Sequence, residues 1–178
     1  MWRNAHIDEL TELPGRQALK RHLSVLSHDF AIAILDLDHF KLINDQYGHH
    51  TGDQVLRFVA SFLRTIGEGK AYRYGGEEFV IIYDGETAGN CAPKLDDLRK
   101  SIERREFWIR GKDRPRKKPE PASKTGDNSR SQRIVVTVSI GVADDGKSGA
   151  PSGEVLGKAD KALYKAKADG RNRVRVAR

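Results

Sequence analysis

The sequence predicts an α+β fold of the ferredoxin-like βαββαβ type, a sandwich with helices around a central, mostly antiparallel sheet, which they are expected to cover on one face. Three observations predict it: apolar, β-branched runs at residues 30–35 and 134–142, a Gly75-Gly76 turn between two strand-like runs, and amphipathic helical periodicity between these segments. The chain has 178 residues, enough for one core and too few for two, so we expect a single domain over 1–178.

The first half of the chain begins with a turn at Pro14-Gly15, and leucines at helical spacing then predict a helix. The run at residues 30–35 predicts a central strand that is covered on both faces and ends at Asp36. After a polar, aromatic connection, Thr51 is predicted to cap a helix, since Gln54 stands three residues later. The apolar stripes of these two helices are Leu19, Leu23 and Leu26, and Val55, Leu56, Val59, Phe62, Leu63 and Ile66.

The second half begins where glycines break this helix, and residues 71–74 and 78–83 then predict a β-hairpin. A helix follows, then one strand over 134–142, a last helix that ends at Gly170 and an edge strand at 174–176. The apolar stripes of the two helices are Leu95, Leu98 and Ile102, and Val155, Leu156, Ala159, Ala162, Leu163 and Ala166.

The net charge of +7 lies almost entirely in one segment. Residues 110–133 hold nine Lys and Arg against three Asp and Glu, which is +6, and 111–131 lack apolar periodicity, so we predict a flexible basic insertion there. A solvated loop is its simplest interpretation, and contact with an anionic membrane or nucleic acid is the alternative. We expect no specific nucleic-acid partner, because the strands lack the exposed aromatic pattern for base stacking.

Targeting and redox features are few. No apolar run reaches the length of a membrane span and the first residues lack the core of a signal peptide, so a cytoplasmic location is expected, either for the chain itself or as part of a larger sensor protein. The single cysteine, Cys91, excludes an internal disulfide.

Two acidic stretches indicate a cation site. Glu77 and Glu78 follow the Gly75-Gly76 turn directly, and carboxylates held side by side repel each other unless a cation or hydrogen-bond donors lie opposite. Asp36 ends the predicted central strand, a position where ligands of α/β sheets often lie.

Several motifs in the same order resemble one known family. Residues 75–79, Gly-Gly-Glu-Glu-Phe, resemble a variant of the GGDEF motif, and the chain looks like the catalytic domain of a diguanylate cyclase, with its nucleotide-cyclase or palm-like fold. Residues 8–16, 36–41, 44–53, 138–143 and 159–172 resemble further family motifs, so the similarity covers nearly the whole chain. Gly15 stands where Asn is more usual.

The resemblance implies roles for individual residues. Asp36, the Leu37 carbonyl and Glu77 would hold two Mg²⁺ ions, for which Mn²⁺ can substitute, against the GTP triphosphate. Glu77, Glu78 and Lys41 would be the catalytic residues, and Glu78 would support Glu77 or assist proton removal. The phosphates would meet Lys41, Lys167, Arg171, Gly75 and Gly76. Guanine would be read by Asn44 and Asp53, with Phe40 and Leu56 packed near the base. Asp53 as a helix-dipole partner, Lys167 and Arg171 as helix-end cations, and Phe40 and Leu56 as core residues are the structural alternatives.

The implied reaction joins two GTP molecules into cyclic di-GMP with release of two pyrophosphates, so two domains must face each other as a homodimer that is weak in isolation. A sensory domain N-terminal to this one is expected in the full-length protein. Residues 66–69 stand where many members carry an Arg-x-x-Asp product-inhibition motif, so that site is predicted to be absent. The competing interpretation is a GTP-binding regulatory module without turnover that controls a neighbouring domain.

Overall fold

The computed structural model describes residues 7–109, 132–146 and 149–177. These residues form seven strands and five helices. The strands are β1 (Phe30–Leu37), β2 (Lys70–Gly75), β3 (Glu78–Asp84), β4 (Phe107–Ile109), β5 (Gln132–Ile134), β6 (Val138–Asp144) and β7 (Val174–Val176). The helices are α1 (Arg16–Val25), α2 (Phe40–Tyr47), α3 (His49–Leu63), α4 (Ala88–Arg104) and α5 (Ser152–Ala168).

The main sheet has five strands in the order β2-β3-β1-β6-β7. Strand β1 is central and pairs antiparallel with both β3 and β6, while β7 joins β6 in parallel. All eight residues of β1 are buried, as its continuous apolar sequence predicts. The α+β class and the mostly antiparallel sheet are therefore confirmed.

The expectation that the helices lie on one face of the sheet is wrong. Ala31, Ala33 and Leu35 of β1 share a core with α3 and α4, whereas the alternate residues Phe30 and Ile32 share a second core with α1 and α5. Alternate residues of a strand point to opposite faces of a sheet, so helices cover both faces. The C-terminal helix α5 is therefore a full layer of the fold, packed most extensively on β6.

Local details differ from the sequence predictions at three places. The stretch after β1 was expected to be a connection and forms the short helix α2. Thr51 does not cap α3, because that helix begins at His49 after Gly48, and the Thr51 hydroxyl donates to the Tyr47 carbonyl at 3.0 Å. Asp53 consequently lies beyond the first turn of α3. The single predicted strand over 134–142 is two strands, β5 and β6, separated by residues 135–137, of which Val135 is exposed.

Strands β4 and β5 form a separate two-stranded sheet, in which Ile109 pairs with Gln132. The basic segment at 111–131 lies between them in sequence and outside the described residues. None of the helices in the described ranges combines the length and apolar character needed to cross a membrane.

Candidate active site

The C-terminal end of β1 lies beside the turn between β2 and β3. The pairing of β1 with β3 places Asp36 opposite Glu78, and the Leu37 N–H donates to the Glu77 carbonyl at 3.3 Å. Glu77 and Glu78 are both half-buried. The fold thus brings together the four residues that the resemblance assigns to metal binding and proton removal, although they are about forty positions apart in sequence.

The Asp36 carboxylate is the most strongly perturbed group of this cluster. Its side chain is 7% exposed, and its Oδ2 lies 2.9 Å from the Nζ of Lys167. Burial raises the pKa of Asp36 to about 6, Lys167 opposes the shift, and the neighbouring carboxylates of Glu77 and Glu78 add to it. A buried carboxylate facing two other acids is a place where an added cation is electrostatically favourable.

The oxygen donors of this cluster fit a hard divalent cation such as Mg²⁺, which prefers one or two carboxylates together with phosphate and water ligands. Within the described residues, no group of three or more His, Cys, Asp or Glu side chains is gathered for metal binding. The expected set, with two carboxylates, Asp36 and Glu77, and the backbone carbonyl of Leu37, is smaller than such a group and stays a prediction.

The side chain of Arg73 holds the turn formed by Gly75 and Gly76. Gly75 and Gly76 have φ values of 156° and 49°, and a side chain at either would meet open space. The Arg73 guanidinium donates through Nη2 to the Gly76 carbonyl and packs 5.0 Å from the centre of the Phe79 ring. Arg73 is buried, and its Nη1 has no hydrogen-bond partner among the described residues.

Arg73 also links the two halves of the site electrostatically. Burial lowers the pKa of Arg73, whereas the carboxylates of Asp8, Glu77 and Asp53 oppose that shift. The guanidinium is therefore close enough to interact with both an expected metal ligand and an expected guanine reader. Sequence reasoning missed this residue, and the signal was its position two residues before the glycine pair.

The residues expected to bind guanine lie on α2 and α3, two helices joined through Gly48. The side chain of Asn44 lies against Gly52, where a Cβ atom would overlap its Oδ1 and lie 3.2 Å from Cζ of Phe40. Asp53 is half-buried on α3. Phe40 and Leu56 are buried in one apolar core, at 9% and 4% exposure.

Two expected phosphate-binding residues stand apart. Lys41 is exposed on α2, and its side chain makes no hydrogen bond or ion pair with the rest of the described chain. Arg171 is exposed in the turn after α5, with a φ of 62°. Neither residue contacts the Asp36 cluster, so their phosphate roles stay predictions.

Comparisons with known proteins show the family to which this chain belongs. The family model described as "Diguanylate cyclase, GGDEF domain" matches residues 5–118. Diguanylate cyclase A of Treponema denticola is 35% identical over 150 residues, which cover 83% of this chain and 35% of that protein. The GGDEF domain of DgcB from Caulobacter crescentus, solved in complex with c-di-GMP, has a TM-score of 0.80 at 34% identity and covers 99% of this chain and 95% of that one.

The active GGEEF domain of a diguanylate cyclase from Vibrio cholerae has a TM-score of 0.67 at 25% identity, with 92% of this chain and 90% of that chain covered. The chain spans less than half the length of three curated relatives that it matches. The family model nevertheless covers more than half of the chain, and the fold agrees over nearly all of it. The chain therefore belongs to the GGDEF domain family of diguanylate cyclases.

Proposed function

We propose that this domain condenses two GTP molecules into cyclic di-GMP and releases two pyrophosphates. The observation that carries the proposal is the meeting of Asp36 and Glu77 at the end of β1, beside Lys167. Relatives named as diguanylate cyclases and a structural neighbour described as an active GGEEF domain support it.

Asp36, the Leu37 carbonyl and Glu77 would hold Mg²⁺, and Mn²⁺ can substitute. A metal held by these residues would acidify the attacking 3′-hydroxyl and neutralise charge on the leaving pyrophosphate. The protein contributes the buried carboxylate of Asp36, whose negative charge is poorly solvated by water. Glu78, opposite Asp36 in the strand ladder, either supports Glu77 or takes the proton from the hydroxyl.

The triphosphate would be bound by Lys41, Lys167 and Arg171 and by the backbone of the glycine turn. Gly75 and Gly76 suit this role because both are exposed and no Cβ atom hinders a close approach of phosphate to the backbone. Lys167 is 35% exposed and pairs with Asp36, so a triphosphate can recruit it without unfolding the site.

Guanine would be selected by Asn44 and Asp53. A carboxylate accepts from both the N1–H and the exocyclic amino group of guanine, and adenine lacks that pair of donors. Each charge-assisted hydrogen bond contributes roughly 1.5–3 kcal/mol, enough to favour GTP over ATP. Phe40 and Leu56 would pack near the base as the apolar wall of the same core.

One domain binds one GTP in this proposal, so two domains must face each other. Each 3′-oxygen bonds to the α-phosphorus of the other GTP while the bond from that phosphorus to the bridging oxygen breaks and pyrophosphate leaves. Catalysis is then a property of a homodimer, which we expect to be weak for the isolated domain. GTP as substrate supports a cytoplasmic location, and an N-terminal sensory domain remains our expectation for the full-length protein.

The test is incubation of the purified domain with GTP and Mg²⁺ at several protein concentrations, followed by chromatography of the products. Glu77→Ala is the test variant, and Glu154→Ala, which removes an exposed acid of α5, is the matched control. We expect cyclic di-GMP from the parent and the control, none from Glu77→Ala, and a rate that rises more than linearly with protein concentration.

Near-normal turnover by Glu77→Ala would overturn the metal assignment, and a strictly proportional rate at low micromolar protein would count against dimeric catalysis. Intact GTP binding without product, even after fusion to a dimerising helix, would favour the alternative function. That alternative is a regulatory module that binds GTP and controls a neighbouring domain, and the presence of both Asp36 and Glu77 makes it the weaker of the two.

A further inference from the structure

The turn between α5 and β7, here called the Arg171 turn (residues 169–173), has an unusual backbone. Arg171 and Asn172 have φ values of 62° and 46°. This left-handed region is unfavourable for residues other than glycine, and an arginine stays there when its surroundings hold it. What holds the turn therefore decides where the Arg171 guanidinium lies.

Asp38 is the first group that fixes the Arg171 turn. It is a buried carboxylate, 5% exposed, and it follows β1. Its Oδ2 accepts from the Asn172 N–H at 3.0 Å and from the Thr137 hydroxyl at 2.9 Å, and its Oδ1 accepts from the Ser139 hydroxyl at 2.7 Å. The Asp38 N–H also donates to the Thr137 carbonyl at 2.9 Å. Asp38 thus joins the end of β1 to the start of β6 and to the residue that follows Arg171.

Helix α4 also fixes the Arg171 turn, through hydrogen bonds to the side chain of Asn172. Its Oδ1 accepts from Nη1 of Arg99 at 2.8 Å, and its Nδ2 donates to Oε1 of Glu103 at 2.8 Å. Arg99 is itself fixed by Asp96 at 2.8 Å. Both the backbone and the side chain of Asn172 are therefore tied to the framework, while Arg171 beside it is exposed.

We propose that Asp38 is a positioning residue, which fixes the Arg171 turn so that the Arg171 guanidinium is presented to the nucleotide triphosphate. The ligand in this proposal rests on the proposed function. Preorganisation is the physical reason: a cation already held in place loses less conformational freedom on binding than one on a loose turn.

A competing role for Asp38 is metal ligation, because it stands two residues from Asp36. The two roles respond differently to Asp38→Asn. An asparagine oxygen still accepts from the Thr137 hydroxyl and the Asn172 N–H, and the Ser139 hydroxyl can rotate to accept from the amide nitrogen. Asn therefore keeps the turn in place but is a poor substitute for a carboxylate metal ligand.

The first measurement is hydrogen–deuterium exchange of amides at 169–175 in nucleotide-free protein. We expect faster exchange in Asp38→Ala, and parent-like exchange in Asp38→Asn and in the control Asp97→Ala, which removes an exposed acid of α4. Unchanged exchange in Asp38→Ala would overturn the proposal. Thr137→Val, which removes one bond to Oδ2, is the milder variant if Asp38→Ala does not fold, and it should speed exchange to a smaller extent.

The second measurement is calorimetric binding of inorganic tripolyphosphate and of a non-hydrolysable GTP analogue with Mg²⁺. Asp38→Ala should weaken both by about tenfold, the loss expected for one charge-assisted contact, and Asp38→Asn by less than about threefold. In an Arg171→Ala background, Asp38→Ala should have no further effect. Equal losses with and without Arg171, or equal losses in the Ala and Asn variants, would overturn positioning.

The two proposals fail separately. If the exchange and binding patterns hold but no cyclic di-GMP forms, the cyclase proposal fails and the role of Asp38 stands. If cyclic di-GMP forms but Asp38→Ala binds nucleotide as the parent does, the positioning role fails alone. A parent protein that binds neither GTP analogue nor tripolyphosphate would overturn both.

Discussion

The Nζ of Lys167 lies 2.9 Å from the Oδ2 of Asp36, so an expected phosphate-binding cation and an expected metal ligand form an ion pair across α5 and β1. The pair does not fully compensate Asp36, because burial still raises the pKa of its carboxyl to about 6. Without metal, the negative charge of Asp36 therefore destabilises the folded protein, and a bound divalent cation would offset this cost.

This charge predicts how the stability of the metal-free protein changes with pH. The pKa of Asp36 is raised from 3.8 to about 6 on folding, so its unfavourable contribution is absent below pH 4 and is complete above about pH 6. Asp36→Asn removes that contribution and should stabilise the protein by up to about 3 kcal/mol at pH 8. Urea unfolding in EDTA at pH 4 and pH 8 measures it, and an equal effect at both values would contradict the prediction.

Guanine recognition should be sensitive to a methyl group at Gly52. A Cβ atom there would overlap Oδ1 of Asn44, so Gly52→Ala should push the Asn44 amide out of place. We expect about tenfold weaker GTP binding and a smaller preference for GTP over ATP, measured by calorimetry with non-hydrolysable analogues. Gly153→Ala is the control, because nothing lies within 4 Å of its Cβ position. Unchanged affinity in Gly52→Ala would exclude Asn44 as a base reader.

Two glycines, one in β6 against α5 and one on the exposed side of α5, should respond in opposite directions to alanine. A Cβ atom at Gly141 would overlap the backbone of α5 at Ala159 and Leu163, which a side-chain rotation cannot relieve, so Gly141→Ala should cost about 2–3 kcal/mol. Gly157 lies exposed within α5 with nothing within 4 Å, and Gly157→Ala should stabilise by about 0.5–1 kcal/mol. Urea denaturation compares both, and a stable Gly141→Ala would disprove close packing of α5.

Tight inhibition by the product is not expected through the site that many family members use. Residues 66–69 lack the Arg and Asp of that motif, and a Cβ atom at Gly69 would lie 2.8 Å from Cγ2 of Ile81 and 2.9 Å from Cε1 of Tyr83. An aspartate at this position would therefore require the side chains of Ile81 and Tyr83 to move. Initial rates with added micromolar cyclic di-GMP should stay unchanged, whereas a saturable fall in the rate would contradict the prediction.

The main sheet was predictable because its signals are continuous. The buried run at residues 30–35 and the Gly75-Gly76 turn each imply one local structure, and the central strand and hairpin appear where they were predicted. Helix α2 was missed because it has eight residues and a mixed, polar sequence, with Phe40 as its single buried side chain. The cap of α3 was misassigned because Gly48 precedes Thr51 and starts the helix earlier.

Sequence motifs predicted the residues of the candidate site that belong to a motif themselves, such as Asp36 and Glu77. They did not predict residues whose importance depends on a contact with a distant part of the chain. The meeting of Asp36 with Glu77 follows from the hairpin beside the central strand. The contacts of Arg73 and the positioning role proposed for Asp38 depend on burial and on partners such as Gly76 and Asn172, which spacing along the chain does not reveal.

The central position of β1 has a consequence for the order of events during synthesis. Leu37 pairs with Val138, more than a hundred residues later, so β1 keeps one open edge until β6 has been made. Pairing between strands so far apart in sequence slows folding. During synthesis, the last third of the chain must emerge before β1 can pair on both edges. Lys167 and Arg171 lie in the same last third of the chain. Two of the expected phosphate-binding residues are therefore synthesised only after the strand that completes the pairing of β1.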